Sequence, residues 1–568
     1  MTDRRRSSRL SRRQALCLLG GAGATALLAA CGVGAATAPP ATTPAAPTAT
    51  GGGAAATGGK PAASTAAAAG AAPATAITGR TPAAGTPTAG ASGTLPTAIT
   101  LPNTGVKLPA QNVAFRWVQS GPGPKGLFFK DYFAAYQQAH ANVTIQLDEL
   151  PWPEIGKIVP LGVQSGNAPD LFQIPQNVTA GQAVQEGWVR PLDDIVPNFQ
   201  QWKAAFPPGS FLDGVHVFNG KTYTFPFISN KLYGTLLFYN VEYAQRGGID
   251  LQSRPPTWDG YRAAAKKLTQ QGGGKYYGVI IEGAQTANWG TDVRNLARMA
   301  GAPGTGNDIN WQTGEYNYTT DQYRAAIELL LALKADGSVF PGSLSLNAQQ
   351  ARGQFPQGAA GLFLQGPWNI EQWRTTVPDF TFDVASQPVP NGGTPLPLSY
   401  EPTGGYLWVY AKTKYPEVAG DLLYYIGTEQ GQAAYVALSG GGEPAVYPRA
   451  NQVAGVDPRV RKVNDLFDQQ MRLGPSPSVR NTEVEKVNLE LKSVTPDFGT
   501  TIQGLYTGQL KDAKAAMKDL QDRSEAELQR AITAAQAKGA TVSRDDWKFA
   551  NWDPTKDYTQ ADYDALPH

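Results

Sequence analysis

Apolar and polar positions divide the chain into an unpatterned front and a patterned remainder. Val113-Ala114-Phe115-Arg116-Trp117-Val118 has strand composition and stops at the breaker cluster Ser120-Gly121-Pro122-Gly123-Pro124. Phe129, Tyr132, Phe133 and Tyr136 then recur at helical spacing, predicting a helix over 128–140, and alternation over 143–147 predicts a second strand. Strand, helix, strand is the opening of a βαβ unit, so the pattern points to an α/β architecture. A third strand, Asp170-Leu171-Phe172-Gln173-Ile174, closes at Pro175. The end of such a strand is where α/β sheets bind ligands.

The alternation continues. Strands are predicted over 223–227, 236–240, 275–281, 361–364 and 406–411. Thr257 reads as the N-cap of a helix through Tyr261, Ala265 and Leu268. Further helices are expected over 321–334, ending at Asp336-Gly337, and over 416–427 and 483–494. A solvent-facing helix over 524–537, bearing Glu525, Glu527 and Arg530, precedes an aromatic tail of Trp547, Phe549, Trp552 and Tyr558. That tail either packs back on the body or meets a partner. No repeat of twenty to fifty residues appears.

The front of the chain has a different logic. Arg4, Arg5, Arg6, Arg9, Arg12 and Arg13 precede the apolar stretch 15–30, which ends in Leu28-Ala29-Ala30-Cys31. Charged, apolar, then small residues before a cysteine form an export signal of the bacterial lipoprotein kind, so residues 1–30 read as a signal peptide and Cys31 as the acylated first residue of the mature chain. The apolar stretch, diluted by Gly20, Gly21 and Gly23, is too short to span a bilayer permanently. Ser11-Arg12-Arg13-Gln14-Ala15-Leu16 resembles a twin-arginine signal with Ala15 in place of a bulky aromatic, and both twin-arginine and general secretory export stay open. Residues 31–110 are Ala, Thr, Gly and Pro with almost no charge, a composition that cannot bury enough apolar surface to fold. As a coil such a tether spans on the order of 50 Å.

Charge and cysteine narrow the chemistry. The formal charge of +2 includes six arginines and one aspartate of the leader, leaving about −3 for the mature chain and no footprint of nucleic-acid binding. Cys17 leaves with the leader and Cys31 carries lipid, so no disulfide is expected in the body. His140, His216 and His568 are scattered without metal-site spacing, and no metal or cofactor is expected.

Several short blocks carry a resemblance. Gly166-Asn167-Ala168-Pro169-Asp170, Trp188-Val189-Arg190-Pro191-Leu192-Asp193-Asp194, Asn219-Gly220-Lys221-Thr222-Tyr223-Thr224-Phe225-Pro226 and Phe238-Tyr239-Asn240 come first. Pro256-Thr257-Trp258-Asp259, Phe355-Pro356-Gln357-Gly358-Ala359-Ala360 with Gly366-Pro367-Trp368, and Gly508 with 513–516 follow. In this order, over roughly 113–520, they resemble extracellular solute-binding proteins of sugar importers, the maltose-binding-protein-like group. Ala359 and Gly361 stand where that family usually has Lys and Met.

The resemblance implies a type II periplasmic-binding-protein-like fold: two α/β lobes joined by a hinge and closing on a solute. One lobe would take 111–237 and 390–442, the other 238–387 and 443–520, with 521–568 as a C-terminal helix and tail. It implies no enzyme but an extracytoplasmic monomer, anchored through the lipid that the leader predicts on Cys31, that delivers a mono- or oligosaccharide to the permease of an ABC importer. A micromolar affinity needs about 8 kcal/mol, within reach of a few stacked aromatics and hydrogen bonds.

Candidate contacts follow from the chemistry of sugars, which offer a C–H face to an aromatic ring and hydroxyls around the rim. Trp368, after a strand and the Gly366-Pro367 turn, matches the family's ligand-stacking tryptophan, against the alternative of a core residue. Trp289 sits past another strand, in a loop before a helix, and Trp117 ends the first strand; either is equally a packing residue. Gln176 and Asn177 follow the third strand, and Asn230 and Tyr233 lie between the two hinge-region strands, where the family often places ligand contacts. Gly404, Gly405 and Tyr406 open a strand where backbone can approach a ligand. Arg480 and Asn481 are candidates to seal the cleft.

Other chemistries fail. Gly272-Gly273-Gly274-Lys275 lacks the following Ser or Thr of a phosphate loop, and no GxSxG elbow occurs. The carboxylate pairs Asp193-Asp194 and Glu149 with Glu154 leave a secreted carbohydrate-active enzyme as the competing class, with a surface adhesin third.

Overall fold

The computed structural model describes residues 95, 97–176, 178–304, 306–392, 395–402 and 405–567. The leader, Cys31, most of the tether and Asn177 lie outside them. Two four-stranded sheets organise two α/β lobes, the architecture expected of a periplasmic-binding-protein-like fold.

In the first lobe Val113–Ser120 is central, pairing in parallel with Val143–Leu150 on one side and with Leu171–Phe172 on the other; Trp408–Val409 returns from far along the chain as the antiparallel edge. Both faces are covered, as a sheet with parallel crossovers requires. Phe115 and Trp117 face the helix Lys125–Ala139, where the Trp117 ring lies 5.1 Å from Phe129 and 5.0 Å from Phe133. Val118 and Phe172 face the helix Trp152–Ser165 through Ile155 and Val159.

Leu236–Asn240, wholly buried, is central in the second lobe, antiparallel to both Ala360–Gln365 and Phe382–Ala385, with Tyr277–Val279 parallel to Ala360–Gln365 at the edge. Leu237 and Leu362 pack under the helix Trp258–Gly272, which Thr257 caps by accepting the Gly260 N–H at 3.1 Å. That helix presses so close that a Cβ at Gly361 would stand 2.7 Å from Leu268 Cδ1 and one at Gly278 2.1 Å from the Ala265 carbonyl oxygen. Gly361, a departure from the usual family pattern, is thereby explained by close helix-on-sheet contact.

Crossing segments join the lobes side by side: Ile228 bridges Ala445, and the Ser229 N–H donates to the Pro444 carbonyl at 2.8 Å. The helix Glu429–Ser439 packs on the first lobe through Tyr435, and the helix Pro458–Gln470 lies against the second, with the Arg459 guanidinium 3.9 Å from the Phe382 ring centre.

Several expected elements differ. Residues 223–227 form no strand; Thr224 instead spends its hydroxyl on the Leu407 carbonyl. The third strand is only Leu171–Phe172, and the helix expected over 483–494 is Val484–Glu490, after which Leu491 turns extended. The helix Ala513–Ala537 is amphipathic rather than solvent-facing throughout: Leu528, Ala531, Ile532 and Ala535 pack with Val484, Val487 and Trp547. The tail packs back on the body. Phe549 donates its N–H to the Trp311 carbonyl, Trp552 lies 5.1 Å from the Trp311 ring, and Tyr558 donates its N–H to Leu473. The body also begins before residue 111, since Leu101 and Leu108 pack against the first lobe. Among the described residues no helix is long and apolar enough to cross a membrane.

Candidate functional site

A cleft of about 430 Å3 opens between the lobes, walled by both. Its first-lobe wall is built at the ends of the first two strands. Ser120 to Lys125 turn through Gly121, Pro122, Gly123 and Pro124, and Pro151-Trp152-Pro153 follows the second strand, so proline and tight packing fix the backbone. Behind them Lys125 donates from Nζ to Ser120 Oγ at 2.6 Å and stands 5.6 Å from the Tyr406 ring centre. Tyr435 donates its hydroxyl to Glu443 Oε2 at 2.8 Å. Burial and the Glu443 carboxylate hold the Tyr406 phenol well above its ordinary range.

The second-lobe wall is more highly charged. Trp368 opens the helix Trp368–Thr376 and folds its ring back over Gly366, where a Cβ would stand 2.2 Å from ring atoms. Gly366 is therefore required by the indole's position rather than by a turn. The Arg352 guanidinium stands 5.3 Å from the ring centre and covers one face. Beside it Gln365 donates its amide to Glu282, and Asn288 donates to the same carboxyl oxygen at 3.3 Å. Burial raises Glu282 to about 7, against the pull of Arg352; it also lowers Arg352 to about 10. Asp292, one turn after Asn288, is raised by burial first and by Glu282 second. Three buried polar atoms on this wall have no partner: Trp368 Nε1, Arg352 Nε and Gln372 Oε1.

Of the residues singled out in the sequence, Trp368, Tyr406 and Gln176 line this cleft. The other described candidates are placed elsewhere, and Asn177 and Gly404 lie outside the described residues. Trp289 lies inside the helix Thr286–Met299, not in a loop before it; it is buried against Tyr506, and its indole N–H is spent on the Gly283 carbonyl at 3.0 Å. Trp117 is fully buried, bonded to Gln119 Oε1. Tyr233 is buried against Phe467 and donates to Gln470. Asn230 is half-buried in the crossing segment and is not part of the cleft lining. Gly405 serves packing, since a Cβ there would meet the Phe225 carbonyl oxygen at 2.0 Å. Arg480 holds the tail, donating to the Asp545 carbonyl at 2.6 Å and to that of Lys548.

Sequence reasoning passed over Trp152, Glu282, Asp292, Arg352, Tyr435 and Glu443. Trp152 carried a readable signal, an aromatic between two prolines at a strand end. The acids and Arg352 carried none, because only tertiary contact brings them together. The acid pairs it did weigh are structural: Asp193 accepts the Thr222 N–H at 2.8 Å, and Glu149 pairs with Lys130 at 3.0 Å. Among the described residues no group of His, Cys, Asp or Glu could hold a metal ion.

Comparisons with known proteins agree with this fold. The sequence profile of the bacterial extracellular solute-binding proteins matches residues 120–433. A binding protein of Brucella abortus is 24% identical over 315 residues, 56% of this chain and 72% of that protein. The sn-glycerol-3-phosphate-binding periplasmic protein of Rhizobium meliloti is 22% identical over 390 residues, 65% of this chain and 83% of that one. Among solved structures, an ABC transporter solute-binding protein of Thermotoga lettingae bound with tagatose superposes with a TM-score of 0.57 at 16% identity, over 74% of this chain and all of that one. The maltotriose-bound binding protein of Thermus thermophilus gives 0.54 at 20% identity, with the same coverage.

Proposed function

Because the chain belongs to the bacterial extracellular solute-binding protein family, which places it outside the cytoplasm and among binding proteins rather than enzymes, we propose that it captures a mono- or oligosaccharide between its lobes and delivers it to the permease of an ABC importer. One observation carries the reading: the cleft draws aromatic rings from both lobes, Trp152 and Tyr406 on one wall and Trp368 on the other, with amides and charged groups between them. Rings serve the C–H faces of a sugar and the polar groups its hydroxyls. The carbohydrates bound in the solved structures of similar fold point to the same ligand class.

In this reading Cys31 carries the lipid, the stretch from it to about residue 95 forms the leash, the body works as a monomer, and the lobes divide at residues 237, 387 and 442. Closure is driven by the ligand's better fit to the closed arrangement. Intrinsic-fluorescence titration of the purified protein with a panel of neutral sugars tests it. A saturable change with at least one saccharide is expected; release of a hydrolysed product from any of them would revive the enzyme reading.

A further inference from the structure

Asp292 stands at a boundary. One side of it lines the cleft, and the other lines a small apolar cavity of about 30 Å3 walled by Leu296, Leu329, Leu333 and Val339. No hydrogen bond or ion pair from the described residues reaches its carboxyl group. The charges near it are few. Glu282 faces it from the loop after the Tyr277–Val279 strand, and Tyr261 from the helix Trp258–Gly272. Arg352 faces Glu282 and, more weakly, Glu443 at the lobe junction. Of the two second-lobe acids, Arg352 serves Glu282.

Resting on the reading of a carbohydrate cleft, we propose that Asp292 meets the ligand as a neutral carboxylic acid, donating its O–H to a sugar oxygen, while Glu282 remains the acceptor. Glu282 is already committed as an acceptor, taking N–H groups from Gln365 and Asn288. A second carboxylate beside it, backed by leucines, would be desolvated and repelled together. Such a pair gives up its protons in two separated steps that belong to both groups. The upward displacement of both carboxyls by burial agrees with this arrangement. A neutral acid also supplies an uncharged hydroxyl donor for a sugar's ring or bridging oxygen on a wall whose Thr291 hydroxyl is spent on the Ala287 carbonyl at 3.1 Å. The site then selects uncharged saccharides over basic amino sugars.

Calorimetric titration of the full chain with maltotriose, raffinose, glucose and glucosamine from pH 5 to pH 9 tests the proposal. Neutral saccharides should bind with constant affinity on the acid side and weaken by up to about tenfold per pH unit once the proton is lost. Asp292→Asn, which keeps the donor and cannot ionise, should hold the acid-side affinity at every pH, whereas Asp292→Leu should weaken binding at least fivefold throughout. Glu282→Gln removes the like charge and should move the loss to lower pH. Affinity independent of pH, Asn no better than Leu, or a preference for glucosamine over glucose on the acid side would each overturn it. If neutral sugars bind with a flat pH profile, this inference alone fails; if no saccharide binds at any pH, the carbohydrate reading fails with it.

Discussion

The two walls of the cleft are built to different rules. On the first-lobe wall prolines fix the backbone, Lys125 donates to Ser120, and Tyr435 donates to Glu443 at the lobe junction. On the second, Trp368 Nε1, Arg352 Nε and Gln372 Oε1 are buried without partners, and of two neighbouring acids only Glu282 is drawn by Arg352. Unpaired buried polar groups cost on the order of 1–3 kcal/mol each, so a fold keeps them only where something else repays the cost. The contrast teaches that one wall is a finished surface, while the other keeps open the polar groups that the proposed ligand would complete.

Substitutions can break or sharpen that contrast. The largest effect is expected behind the second wall. Trp289→Ala should destabilise the fold by about 3–5 kcal/mol, as removal of a buried tryptophan does, with little change in ligand affinity for the molecules that remain folded. A selective loss of affinity would extend the wall to Trp289. Next, Trp368→Ala should weaken saccharide binding at least tenfold, about 1.4 kcal/mol, in fluorescence or calorimetric titration, and unchanged affinity would remove the indole from the site. Tyr435→Phe, on the finished wall, should lower stability by about 1 kcal/mol through loss of the bond to Glu443, visible as a lower Tm, while ligand affinity stays within about twofold. Gln176→Ala, on the exposed rim, should change neither by a measurable amount.

A pH scan of the unliganded protein separates the walls without any ligand. Glu282 and Asp292 bind their protons more tightly folded than unfolded. Their contribution is therefore fully present below the ordinary carboxyl range and is lost as pH rises through that range toward the raised values, near 7 for Glu282. Asp292→Asn escapes this loss. Its Tm should exceed that of the wild type at pH 8, and the difference should shrink on acidification; a difference constant with pH would show that the two carboxyls ionise independently of burial.

How much of this was legible in the sequence depends on how local the signal was. The Val113–Ser120 strand, the Thr257 cap and the short strand ahead of Trp368 were readable because residues three or four apart determine them. Trp368 itself was readable from the Gly366-Pro367 turn, although the reason for Gly366 proved to be the ring and not the turn. Trp289 was misplaced because Thr286-Ala287-Asn288 reads as a loop, while the helix in fact starts at Thr286. The charged wall was invisible: Glu282, Arg352 and Glu443 are separated by 70 residues or more, and nothing in their neighbours announces a meeting. The short Val484–Glu490 helix was overextended because the apolar spacing continues past Leu491, where the backbone does not.

The far end of the chain holds a practical lesson. Asp557 grips Lys231 of the crossing segment at 2.8 Å while accepting the Leu473 N–H at 2.9 Å, and Arg480 reaches the Pro567 carbonyl at 3.4 Å. A purification handle or optical reporter fused behind residue 567 would hang from that grip and tug on the segment that joins the lobes, the place where the proposed closure would bend. Labels for a biosensor belong on the outer faces of the lobes, where they can report the motion without damping it.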